Sequence, residues 1–263
     1  MGQGDVKYAD VPGAPEWAKH KPPTSPPEDM EELLRHPPEP HSKAELYTTL
    51  FLCNLKLDDR CAEVLSRSMM RGDWKHINKI TIGGNDITAR GMALICGAWC
   101  NDTMPLLKNI NLEENPIGCE GGKEFAKALP HLPKLETINC CECQIGDSGM
   151  VAMFHAIRDH GPKGGVGSQF YGFYLNKNQF GDAGMYAICE AMEAKAMPII
   201  EHMDMNGSPV GDEGLLKLAD CIEDGIFDHV RYMDMHWLAC TKDGWEVVND
   251  ICEELKTRLH VRF

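Results

Sequence analysis

No stretch of this 263-residue chain approaches the roughly 20 consecutive apolar residues that a membrane-crossing helix requires. The first residues hold neither an apolar signal region nor an Arg-rich, acid-poor leader, since Asp5, Asp10 and Glu16 all precede the first Arg, Arg35. Gly2 follows Met1, but Val6 stands where myristoylation needs Ser or Thr. These absences predict no membrane insertion and an intracellular location. The cytoplasm, including cytoskeleton or cilium, is the expected setting, with a mitochondrion reached without a recognisable presequence as the alternative. Positive charge is scarce too: 26 Lys and Arg face 40 Asp and Glu, a net of −14. Such a surface repels phosphate backbones, so nucleic acid is not expected as a partner and basic or apolar surfaces of other protein subunits are. Signatures of catalysis are also missing. There is no phosphate loop of P-loop or dinucleotide type, no G-x-S-x-G elbow, and the histidines are scattered. The expectation is a chain that is not an enzyme and carries no cofactor.

What the chain does have is repetition. An apolar residue is followed by another three on and a third two further, as in Ile77, Ile80, Ile82 and Leu107, Ile110, Leu112. A small polar residue and another apolar one come next, as in Asn85 and Ile87 or Asn115 and Ile117. Four residues later stands a glycine: Gly91, Gly121, Gly149, Gly184, Gly214 and Gly244, with Cys61 in the first copy. The first residue of each L-x-L pair falls at Leu50, Ile80, Ile110, Ile138, Phe173, Met203 and Met233. Six successive spacings of 30, 30, 28, 35, 30 and 30 follow, the long one containing the Gly-rich insertion 161–167. After each glycine, apolar residues recur one, four, five and eight positions on, as in Met150, Met153, Phe154 and Ile157, which is one stripe of a helix. Each copy therefore reads as a short strand, a turn and a helix, and the copies must stack to bury their apolar faces.

The motif with a helix after the glycine, as in NLEENPIGCEGGKEFAKAL at 111–129, resembles the ribonuclease-inhibitor-like class of leucine-rich repeats. The resemblance implies an α/β solenoid with a curved parallel sheet on the concave face and helices on the convex face. About seven repeats would begin near 47, 77, 107, 135, 170, 200 and 230, giving a repeat domain over 44–263. In that class the buried Asn forms a ladder between turns. Asn85, Asn115 and Asn178 fit, Cys143 and Ser208 are variants, and Leu55 and Leu238 depart from it in the first and last repeats. Proteins of the class bind other macromolecules as inhibitors, GTPase activators, cappers or assembly subunits.

Twelve cysteines are spread through the repeats, which argues against a secreted disulfide framework. Most fall in slots assigned to the core, where a free thiol packs as a small hydrophobe. Cys140, Cys141 and Cys143 suggest a metal-binding fragment, but strand alternation sends Cys140 and Cys141 in opposite directions. Core packing is the favoured reading, and Cys141, on the concave side, is the candidate exposed thiol.

Residues 1–43 differ from the rest, holding nine of the sixteen prolines and 5 Lys or Arg against 8 Asp or Glu. This segment reads as an extended arm, with EDMEELLR at 28–35 as a short helix and Ser25 as its candidate start. It is either a solvated tail or an arm that orders along a partner, with Tyr8, Trp17, Leu33 and Leu34 as anchors. The concave face is the other expected binding surface. Alternation places Phe51, Tyr174, Asp204 and Asp234 there, and the following turns add Glu113, Glu114, Glu142, Lys177, His236 and Trp237. Acidic groups with interleaved aromatics suit a basic segment with apolar anchors. The functional expectation is a non-catalytic accessory or scaffold subunit of a larger assembly, cytoskeletal, axonemal or mitochondrial. The alternative is a regulator: a GTPase activator using a loop Arg, for which Arg60 and Arg90 are placed, or an inhibitor masking a basic site.

Overall fold

The computed structural model describes residues 25–35, 48–254 and 260–262. A short helix α1 (Met30–Arg35) precedes the first of seven strand–turn–helix units. The strands are β1 (Thr49–Phe51), β2 (Lys79–Thr81), β3 (Asn109–Asn111), β4 (Thr137–Asn139), β5 (Gly172–Tyr174), β6 (His202–Asp204) and β7 (Tyr232–Asp234). The helices following them are α2 (Asp59–Arg71), α3 (Ala89–Trp99), α4 (Gly118–Ala128), α5 (Asp147–His160), α6 (Asp182–Glu193), α7 (Asp212–Glu223) and α8 (Lys242–Glu254). All strands are parallel and ordered as in the chain, so the repeats stack one on the next. Leu50, Ile80, Ile110, Ile138, Phe173, Met203 and Met233 pair in unbroken register, which makes the sequence spacing the repeat length. An eighth strand, β8 (His260–Arg262), extends the sheet beyond the seven units, with Val261 opposite Met233.

The core lies between sheet and helices. The central strand residues and the helix stripe Met150, Met153, Phe154 and Ile157 are buried, as are Cys140 and Cys143. The predicted Asn ladder is present. The Asn115 side chain donates to the carbonyls of Ile82 and Leu112 (both 2.9 Å) and accepts from the Ile87 amide (3.1 Å), so it stitches two repeats at once. Asn85 and Asn178 do the same in their own turns. Cys143 keeps one such bond, its thiol donating to the Leu112 carbonyl at 3.2 Å. Ser208 is too short for the role, and its buried hydroxyl has no partner. Leu55 and Leu238 pack against the edge of the core instead.

A second ladder, not foreseen, explains the recurring glycine. Asp182, the first residue of α6, accepts the amides of Gly211 (2.7 Å) and Gly214 (3.0 Å), which cap and open α7. Asp147 does this for α6, Asp59 for α3, and Asp212 accepts the Thr241 amide ahead of α8. Gly181 and Gly211 have no side chain with which to cap their own helices, so the preceding repeat supplies the carboxylate. The helices must approach closely for this: a Cβ at Gly214 would stand 2.7 Å from Asp182 Oδ1 and 3.2 Å from its Cα. Glycine recurs because nothing larger fits.

Helix α1 forms within the predicted segment, but it starts from Asp29, whose side chain accepts the Glu32 amide at 2.9 Å, and not from Ser25. Met30 and Leu34 are buried in the common core and Glu31 reaches Arg71 at 3.4 Å, so α1 closes the end of the solenoid next to α2.

The Asn ladder gives a direct test. Asn115→Ala strands the Ile87 amide and two carbonyls in a dry turn, each costing about 1–3 kcal/mol when left unpaired. Urea unfolding should register a loss of about 3 kcal/mol. Removal of the exposed neighbouring carboxylate, Asp86→Ala, should change stability by less than about 0.5 kcal/mol. Equal effects from the two substitutions would contradict the assigned role.

Candidate interaction surface

Strand residues one and three of each repeat share the face away from the helices. At the N-terminal end this face is closed: Phe51 is only 7% exposed, with Thr49 and Thr81 buried beside it. Phe51, expected as an open anchor, therefore offers little contact area. In the middle the acidic groups are largely engaged within the sheet. Glu113 accepts from Asn111 and Asn139 (both 2.9 Å), and Glu142 pairs with Lys177 at 2.6 Å. Glu114 is exposed.

The C-terminal third differs. Tyr174, Asp204 and Asp234 are register partners on β5, β6 and β7, so two carboxylates sit on adjacent strands beside a tyrosine. Asp204 accepts from Asn176 at 2.7 Å, and Asp234 is bonded to His236 Nδ1. Burial and the neighbouring Asp234 raise the Asp204 carboxyl above the usual carboxylate value, against hydrogen bonds from Asn176 and the Asn206 amide. Burial raises the Tyr174 hydroxyl as well, helped by Tyr171 and Asp204.

Each of the strands β1 to β7 is followed three residues on by a left-handed residue: Asn54, Gly84, Glu114, Glu142, Lys177, Gly207 and Trp237. The turn demands this conformation, which suits the glycines and strains a bulky residue. Trp237 nevertheless occupies it, at φ 56°, with 81% of its surface exposed and its ring 5.9 Å from that of His236.

Strand alternation also holds residues that the sequence reading passed over. Row one of the strands carries His202 and Tyr232 as register partners. Their rings stack at 4.9 Å and 15°, and His202 Nε2 is 3.0 Å from the Tyr171 hydroxyl. The reading took only the third strand residue of each repeat, although the first points to the same side.

The remaining candidates separate clearly. Leu34 is buried and Leu33 half-buried against the chain's own core, so these two anchors face inward and are not free for a partner. Tyr8 and Trp17 lie outside the described residues. Arg60 and Arg90 are not on loops but in the first turns of α2 and α3, and Arg60 bonds Asp58 at 2.9 Å. Among the described residues no three His, Cys, Asp or Glu side chains are grouped to hold a metal. Nor is any described helix long and apolar enough to cross a membrane.

The thiols invert the expectation. Cys141 is half-buried, and burial with the Asp204 and Glu113 charges pushes it up to about 12. Cys119 stands where other repeats carry the capping Asp. Burial alone would raise its thiol, but the Ser148 hydroxyl, the Gly146 and Gly149 amides and Lys123 outweigh it and hold the value below that of an ordinary thiol.

A family model described as Leucine Rich repeat matches residues 173–189, from β5 through the turn into α6. The fold of the chain is a leucine-rich-repeat solenoid. Among curated proteins it is similar to the mouse NACHT, LRR and PYD domains-containing protein 4C, 27% identical over 111 residues. That match spans 41% of this chain and 11% of the relative's length. Among solved structures, a Bacteroides fragilis protein is 15% identical with a TM-score of 0.47, covering 89% of this chain and 68% of that one. An internalin from Listeria monocytogenes is 8% identical with a TM-score of 0.20, covering 89% and 93%. Leucine-rich-repeat domains generally serve as protein-interaction modules.

Limited alkylation with iodoacetamide at pH 7, read by peptide mapping, should label Cys119 well before Cys141, since the thiolate is the reacting species. Labelling in the opposite order would contradict the environments described for both thiols.

Proposed function

We propose that this leucine-rich-repeat protein is a non-catalytic scaffold or accessory subunit that holds another protein on the C-terminal third of its concave face. The observation that carries the reading is Trp237. A largely exposed indole in a left-handed turn costs stability in the free protein, and that cost is recovered only when a partner covers the ring. Tyr174, Asp204, Asp234 and His236 surround the same end of the sheet, and the chain's net charge of −14 favours a basic partner. Arg60 and Arg90 add no support for the GTPase-activating alternative, because neither occupies a loop from which to reach another active site. The segment before α1, with Tyr8 and Trp17, is read as an arm that lies along the same assembly.

A scaffold subunit of 29.3 kDa should elute from gently lysed cells far above its own mass, with the same partners at fixed ratio in high salt. Against those partners Trp237→Ala and Tyr174→Ala should each weaken binding by about 2 kcal/mol, roughly 30-fold, the size of an interface hot spot. The thermal midpoint should not fall with Trp237→Ala. Monomeric elution, or full binding by both variants, would overturn the reading.

A further inference from the structure

Between β5, β6 and β7 the concave face holds a cavity of about 270 Å³. Small-molecule sites run to about 300–1,000 Å³, so this one is sized for a single side chain. Its walls are three rings, Tyr174, His202 and Tyr232, and its polar groups are the carboxylates of Asp204 and Asp234. The walls are set before any ligand arrives. Gly172 lets the Tyr174 ring lie across it, since a Cβ there would stand 3.2 Å from Tyr174 Cε2 and Oη. His202 is held between Tyr171 and Tyr232, with ring centroids 5.0 and 4.9 Å away. Asn176 orients Asp204, and His236 orients Asp234.

Two carboxylates on adjacent strands repel each other, and a cation placed between them relieves that repulsion. Two cations near the pocket are committed elsewhere, Lys177 to Glu142 at 2.6 Å and Arg231 to Glu201 at 3.4 Å. Aromatic faces attract cations, and a planar guanidinium can stack on a tyrosine while its N–H groups fork to two carboxylates, which a lysine ammonium cannot do. We propose that this pocket receives an arginine side chain from an extended segment of the partner, stacked on the tyrosine rings and hydrogen-bonded to Asp204 and Asp234. The inference rests on reading this face as the partner-binding surface, and it names the anchor that surface takes.

His202, Asp204, Tyr232 and Asp234 line the pocket from β6 and β7, so the backbone amides of residues 202–204 and 232–234 report on it. The probe is the capped pentapeptide Gly-Ser-Arg-Ser-Gly, compared with the same peptide carrying citrulline, the neutral isostere of arginine. In ¹⁵N NMR spectra of the full chain, the arginine peptide should shift the amides of residues 202–204 and 232–234 saturably while the citrulline peptide leaves them in place. Asp204→Asn and Asp234→Asn, which preserve shape, should each weaken that response about tenfold. Neither should lower the thermal midpoint, because each removes a repulsion. Equal responses to the two peptides, or no response to arginine, would overturn the proposal. Backbone register also puts Arg262 of β8 beside Asp234. If only the Arg262→Gln variant responds to the peptide, the chain fills its own pocket and the proposal fails. Should Trp237→Ala still release the native partner after such a failure, the broader reading of this face survives and only the arginine anchor is lost.

Discussion

A carboxylate at the start of one helix, hydrogen-bonded to amides that open the next, ties four of the repeats of this molecule to their successors. Asp59, Asp147 and Asp182 make this bond in the same geometry, and Asp212 makes a variant through Thr241. Beneath them the Asn ladder does the same for the turns. Both devices satisfy backbone groups that stacking would otherwise bury unpaired. They also work only when neighbouring repeats sit in one register and at one separation, which is why a single glycine position recurs along the chain.

That rigidity is what makes the concave face useful. A sheet held at fixed spacing presents its side chains as rows, so a charge or ring in one repeat has a set distance to its counterpart in the next. Through the middle of the face the rows neutralise themselves, Glu142 against Lys177 being one case. Toward the C-terminal end they do not: Asp204 faces Asp234, the aromatic rings cluster, and Trp237 projects into solvent. Free-energy costs concentrated in one region of an otherwise self-satisfied surface mark it as built for something not present in the free chain.

Most of the architecture was legible in the sequence because repeat stacking writes the same constraint many times. Seven strand starts, the helix stripe and the Asn slot all follow from period alone. Three things did not. The eighth strand, His260–Arg262, has Arg258 where the repeats carry an apolar residue such as Ile200 or Val230, so the pattern does not announce it. The docking of α1 depends on where Leu34 finds a surface, which a short amphipathic segment does not specify. The trans-capping by Asp182 and its counterparts joins residues about 30 apart, and an Asp at a helix start looks the same whether it caps its own helix or the next. At the candidate surface, alternation gave the right face but not the environment: Phe51 and Tyr174 hold equivalent slots, yet one is buried and the other lines a pocket.

The central claim is that the C-terminal third of the concave face is where a partner binds. Hydrogen–deuterium exchange of the chain alone and in its native complex tests this most directly. The account predicts slowed exchange in the turns at 174–177, 204–207 and 234–237, with the outer helices α3 to α7 unchanged. Protection confined to those helices, with the turns exchanging as in the free chain, would contradict it.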